Sequence, residues 1–175
     1  LELILKLNHN DCAFDFNSKT LRYTIDISLI KEFEAYVEFQ EYSEVFYNNL
    51  LLENNCTNNF GEIVLNQNYP LIIITNGIEH EFQLQFTNLP IIQIITHNHI
   101  VDEPKTLGRI VINYPSITKN KFTSLIGVEY RGETSQSRPK KSLSFCFLNS
   151  VIMTDKVSKS IFNLPQNSEW WLDAM

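Results

Sequence analysis

Hydrophobic and polar residues alternate along most of this chain, and the alternation predicts strands. Leu1–Leu7 reads L-E-L-I-L-K-L, and Leu21, Tyr23, Ile25 and Ile27 are separated by polar or small residues. A period of two is the mark of a strand with one face buried. Val45–Leu52 predicts a strand with an Asn48-Asn49 turn inside it. Ile63–Leu65, Pro70–Thr75 and Glu81–Phe86 complete the set, while Asn54–Asn59 is loop-like and Asn8–Asp11 a polar turn. Asn76-Gly77 is a good hairpin turn, since both residue types tolerate positive φ. Ser28–Gln40 fits both periods. A turn followed by a strand agrees better with its β-rich neighbours and its aromatics, and a short helix is the alternative.

The second half continues in the same way. Ile91–Thr96, Leu107–Asn113, Thr123–Tyr130 and Lys140–Leu148 predict strands, with loops at Tyr114–Lys121 and Ser150–Lys156. Val157, Ile161 and Leu164 stand at helical spacing, stopped by Pro165, and a last apolar element begins at Trp170. The expected fold is mainly β: an immunoglobulin-like β-sandwich over residues 1–88, then a β-rich unit with one short helix over 89–175. The boundary falls at Asn88-Leu89-Pro90. Short strands at regular spacing with Asn/Gly turns suggest the sandwich, although the Cys…Trp…Cys pattern of antibody domains is absent.

Composition narrows the classes. Apolar residues make up 43% and aromatics 12%, enough for a core, and the net charge is −6. That balance argues against general nucleic-acid binding, which needs a basic face. No apolar run approaches membrane-spanning length, and no signal peptide is visible. Cys12, Cys56 and Cys146 are widely spaced and form no C-x-x-C pair, so a zinc or redox site is not expected; one disulfide is conceivable, with Cys146 fitting a buried thiol better. His97 and His99 would share a strand face but lack a third metal ligand. Trp170 and Trp171 read as packing residues rather than a sugar platform.

The chemistry concentrates in Tyr130–Phe147. This stretch holds Arg131, Arg138, Lys140 and Lys141 out of 14 Lys and Arg residues in all. It runs strand, polar connector, strand: Ile126, Val128 and Tyr130 alternate on one side, Leu143, Phe145 and Phe147 on the other. The connector's Gly, Ser and Thr residues can offer N–H groups and hydroxyls to an anion. Such a frame is either a phosphate clamp or a hairpin with a solvated basic tip. Lys141 shares its strand face with Leu143, Phe145 and Phe147, the face expected inward, where an ammonium needs a partner. A phosphate or a structural carboxylate would serve. Lys140, with Ser142 and Ser144, faces the other way.

The order of these segments resembles the spore coat protein H kinase family (CotH-like). Arg131-Gly132-Glu133-Thr134-Ser135 stands where that family has R-G-N-S-S, and Pro139-Lys140-Lys141-Ser142 where it has P-K-K-S. Leu164-Pro165 followed by Ser168-Glu169-Trp170-Trp171-Leu172 is similar to its L-P-x-x-x-[DE]-W-x-L segment, and Leu89–Ile94 to its opening strand. Glu133 departs from the pattern by adding negative charge where phosphate would approach; Thr134 for Ser is a mild change.

The resemblance implies that residues 89–175 begin a kinase-like N-lobe. It implies a secreted or cell-surface bacterial protein that, at full length, transfers a phosphoryl group from ATP with Mg²⁺ to Ser/Thr of a protein substrate. The cofactor-binding residues it implies are Arg131, Gly132, Ser135, Lys140 and Lys141. The catalytic and metal-binding Asp residues, with the lobe that carries them, are expected after Met175, so this stretch alone is expected to be inactive. The alternative is a non-catalytic surface adhesin or assembly module that keeps the fold only.

Overall fold

A computed structural model describes residues 5–116, 121–132 and 141–173. The chain is mainly β, with three sheets and one short 3₁₀ turn among the described residues. Contacts divide it into two units, Leu1–Ile91 with Ile112–Lys121, and Ile92–Val111 with Phe122–Met175.

The first unit carries two sheets. One has the order β2 (Asn10–Asp11), β1 (Leu5–Leu7), β5 (Phe33–Phe39), β8 (Cys56–Gly61). The other runs β3 (Ala13–Asp15), β4 (Thr20–Thr24), β10 (Ile78–Thr87), β9 (Asn68–Thr75), β6 (Ser43–Tyr47), β7 (Leu50–Leu51). Their alternating apolar positions build a single core: Phe33, Ala35 and Val37 from β5 meet Leu71 and Ile73 from β9 and Leu84 and Phe86 from β10. Phe86 is the centre of an aromatic cluster. Its ring lies 5.4 Å from Phe33, 5.9 Å from Tyr69, 6.0 Å from Phe60, 6.3 Å from Tyr23 and 6.4 Å from Tyr47, mostly edge to face. That arrangement adds to the burial energy.

The hairpin turns are where the sequence puts them. Asn8-His9 (φ 50° and 63°), Asn48-Asn49 (48° and 65°) and Asn76-Gly77 (52° and 74°) place both central residues in the left-handed region. This matches the twist of the flanking strands. The ambiguous stretch resolves into a 3₁₀ turn at Ile27–Leu29, capped by Asp26, and then strand β5. Two expectations fail here. The Asn-rich loop at Asn54–Asn59 is mostly strand β8, because β5 needs a partner and the Asn58 side chain satisfies the turn by accepting from Glu53 N and donating to Glu53 O. Ile63–Leu65, expected as a strand, pairs with no sheet; Ile63 is buried as a single anchor, its N–H donating to Ile30 O at 2.7 Å.

The remaining sheet is a five-stranded meander: β11 (Ile91–Thr96), β12 (Thr106–Asn113), β13 (Lys121–Tyr130), β14 (Leu143–Leu148), β15 (Glu169–Leu172). The expected helix over Val157–Leu164 is absent. Lys159 and Asn167 exchange both backbone hydrogen bonds, at 3.0 and 3.2 Å, and Phe162 and Asn163 turn through φ 54° and 59°. Those backbone groups are committed to a hairpin-like excursion, so no helical ladder can form. All three cysteines are free thiols, and burial pushes the Cys12 thiol far up.

Phe86→Ala is expected to destabilise the first unit by about 3–5 kcal/mol, read by chemical denaturation followed through tyrosine near-UV circular dichroism. A loss below about 1 kcal/mol would mean that the aromatic cluster does not hold the two sheets together.

Candidate functional site

The site is built on the β13–β14 hairpin. Its register runs from Leu125↔Leu148 to Tyr130↔Leu143. Ile126, Val128, Phe145 and Phe147 are fully buried on one face. The other face carries Gly127, Glu129, Ser144 and Cys146, since successive side chains alternate. Gly127 is required there: a Cβ would stand 2.8 Å from Met153 Sδ and 3.3 Å from Cys146 Sγ.

That second face is lined with paired charges. Lys105, just before β12, pairs with Glu129 and donates to Ser144 Oγ at 3.2 Å; the two charged side chains are only 18% and 21% exposed. Lys156 pairs with Glu169 on β15 at 2.6 Å. The hydrogen bond and charge of Lys156 hold the Glu169 carboxyl below its usual range, and Glu169 in turn raises the Lys156 ammonium. This exposed pair adds a little stability at neutral pH. Glu169's share is present above the ordinary carboxylate pKa and is lost as pH falls through its lowered value.

Arg131 continues β13, its N–H donating to Ser142 O at 3.0 Å. Its guanidinium lies 3.8 Å from the Trp171 ring centroid, and Nη1 is 3.6 Å from Asp173 Oδ1. Gly132 follows at φ 81°, a conformation that side chains rarely adopt. Lys141 lies 4.5 Å from the Tyr130 ring. Tyr130 pairs with Leu143, and Trp171 with Ser144. Leu143 and Ser144 are adjacent, so the two rings stand on opposite faces of the sheet. The structure therefore brings the backbones of Arg131 and Lys141 together at one end of the hairpin but sends their charged heads to opposite sides. Lys141 is exposed rather than inward. It precedes the start of β14, and its ammonium rests on Tyr130 at the rim of the apolar face. Ser135 and Lys140 lie outside the described residues.

The pair that meets the cost of burial is Lys105–Glu129, which the pattern of the sequence did not single out. Glu129 alone carried a signal: it is a carboxylate between Val128 and Tyr130, on the face opposite the apolar one. Lys105 carried none, because only the fold brings it to β13. Trp170, on the apolar face, packs on Phe147 with centroids 6.5 Å apart, whereas Trp171 is 60% exposed beneath Arg131. Among the described residues no three His, Cys, Asp or Glu side chains converge on a common point. They therefore do not fit a magnesium site.

No family model matches the chain, and neither the curated proteins nor the solved structures include a significant match.

Glu129→Gln is expected to cost about 2–4 kcal/mol, because Lys105 is left largely buried without its counter-charge. The double variant Lys105→Met with Glu129→Leu is expected to recover most of that loss. Equal destabilisation by the single and double variants, in urea denaturation, would show that packing rather than the ion pair matters at this position.

Proposed function

We propose that the chain joins an immunoglobulin-like sandwich to the opening sheet of a CotH-like phosphoryl-transfer domain, in a secreted or cell-surface bacterial protein. One observation carries the reading. The segments of the resemblance fall on one sheet: Leu89–Ile94 leads into β11, Arg131-Gly132 leaves β13, Lys141-Ser142 leads into β14, and Glu169–Leu172 is β15. Three of those strands are consecutive neighbours, and Arg131, Gly132 and Lys141 stand at one end of the β13–β14 hairpin. Arg131, Gly132 and Lys141, with Ser135 and Lys140, would hold the polyphosphate of ATP only where it crosses the end of the hairpin, since the Arg131 and Lys141 heads lie on opposite faces of the sheet. Arginine gives a forked contact and glycine lets the backbone come close.

ATP with Mg²⁺ supplies the transferable phosphoryl group in this reading. Transfer further needs a carboxylate-held metal and a residue orienting the acceptor hydroxyl. The part of the work assigned to these residues is binding. The second reading, a surface adhesin or assembly module without catalysis, draws on the Arg131–Asp173 contact, which already gives the arginine an anionic partner.

Calorimetric titration with ATP separates the two. The kinase-like reading expects saturable binding, weakened about tenfold by Arg131→Ala and by Lys141→Ala, as for loss of a charged hydrogen bond, and unchanged by Lys6→Ala. Absence of binding would leave the adhesin reading. Residues 1–175 are also expected to transfer no label from γ-labelled ATP to themselves or to a Ser/Thr-rich protein, with Mg²⁺ or Mn²⁺. Labelling abolished by Lys141→Ala would overturn the assignment of this hairpin to binding alone.

A further inference from the structure

The Asn-rich stretch at the head of β8 carries a motif that neither the fold nor the proposed function uses. Asn55-Cys56-Thr57 is the one place in the whole sequence where an asparagine is followed, two residues on, by Ser or Thr without an intervening proline. N-x-S/T is the acceptor pattern for N-linked glycosylation, and the structural context that supports it is an exposed turn or loop.

The asparagines of this stretch divide by what their side chains do. The Asn54 amide accepts from Phe39 N at 2.9 Å and donates to Phe39 O at 3.0 Å. The Asn58 amide accepts from Glu53 N at 2.7 Å and donates to Glu53 O and Cys56 O at 2.9 and 3.0 Å. Asn59 accepts from Gly61 N at 2.7 Å and donates to Glu34. These three amides are parts of the fold. Asn55 is the exception. Its backbone N–H donates to Val37 O at 2.8 Å, but its side chain makes no hydrogen bond to any described residue. It sits at φ 55°, a left-handed turn conformation that asparagine tolerates better than most residues.

The rest of the motif is equally accessible. Asn55, Cys56 and Thr57 are all exposed, and the Thr57 hydroxyl is likewise unengaged among the described residues. β8 is the outer strand of its sheet, so a glycan at its head leaves from an open edge. Glu53, also exposed, stands two residues before Asn55. Its carboxylate offers a transferase a charged handle beside the acceptor, of the kind an arginine reads with paired hydrogen bonds.

We infer that Asn55 is the acceptor for an N-linked glycan. Its Nδ2 forms a bond to the anomeric carbon of a sugar carried on a lipid diphosphate. The bond from that carbon to the diphosphate oxygen breaks, and its electron pair leaves with the diphosphate. One amide proton passes to a base of the transferase. This acceptor chemistry is independent of ATP binding; its use in the cell rests on the secreted or cell-surface location of the proposed function.

The test incubates the purified, folded chain with a bacterial single-subunit oligosaccharyltransferase and a lipid-linked oligosaccharide diphosphate, read by intact-mass and peptide mass spectrometry. The expected result is a gain of one glycan mass, located on Asn55. Asn55→Asp keeps a residue that tolerates the left-handed backbone and is expected to abolish the gain. Thr57→Val keeps the branched shape that suits a strand and is expected to abolish it as well, while Thr57→Ser retains it. Circular dichroism shows whether each variant is folded, and the unaltered chain decides if one is not. No mass gain on the unaltered chain would overturn the inference. So would a glycan on a different asparagine, or one that survives Thr57→Val. Neither cellular location nor ATP enters this assay, so its failure is distinct from failure of the proposed function.

Discussion

The register of the β13–β14 hairpin is the constraint on which the candidate site depends. Ile126, Val128, Phe145 and Phe147 all reach one face and are fully buried. A slip of one residue would turn all of them to the opposite side. The same register sends Glu129 and Ser144 towards Lys105, sets Trp171 beside Ser144, and makes Arg131 and Lys141 diverge. Apolar burial thus decides where the charges go, and the charges add little to that decision. Gly127 belongs to the same constraint, since the space a side chain would need is occupied by Met153 and Cys146.

The paired charges of the second face have a physical consequence for any anion that approaches. Lys105 and Lys156 are both engaged by carboxylates, so they raise the local potential less than two unpaired lysines would. Among the described residues, Lys141, exposed on Tyr130, and Arg131, on Trp171 and beside Asp173, are the cations at the hairpin's end. A polyphosphate reaching both has to cross that end rather than enter a cleft.

Much of the fold was legible because alternation and Asn/Gly turns report directly on strands and hairpins. Phe33–Phe39 and the turns at Asn48-Asn49 and Asn76-Gly77 are examples. The misreadings share a cause. Cys56–Gly61 looks like a loop by composition and becomes a strand because β5 offers it a partner. Val157, Ile161 and Leu164 have helical spacing, but the Lys159–Asn167 pairing takes up the backbone groups a helix would need. Both are tertiary effects that local pattern cannot carry. The candidate site divides in the same way. The basic hairpin was visible as a cluster in the sequence. The divergence of its cations depends on a register shared with β15, and the Lys105–Glu129 pair depends on residues 24 positions apart meeting across the sheet.

The central claim, that hairpin register places the charges, is tested most directly by interstrand nuclear Overhauser effects in solution. Arg131 N–H bonds to Ser142 O, which makes Val128↔Phe145 and Tyr130↔Leu143 the non-hydrogen-bonded pairs, with Cα atoms about 4.5 Å apart. Strong Hα–Hα effects are expected between Val128 and Phe145 and between Tyr130 and Leu143. Effects linking Val128 to Ser144 or to Cys146 instead would mean a shifted ladder, and would contradict the placement of every charged side chain described on this sheet.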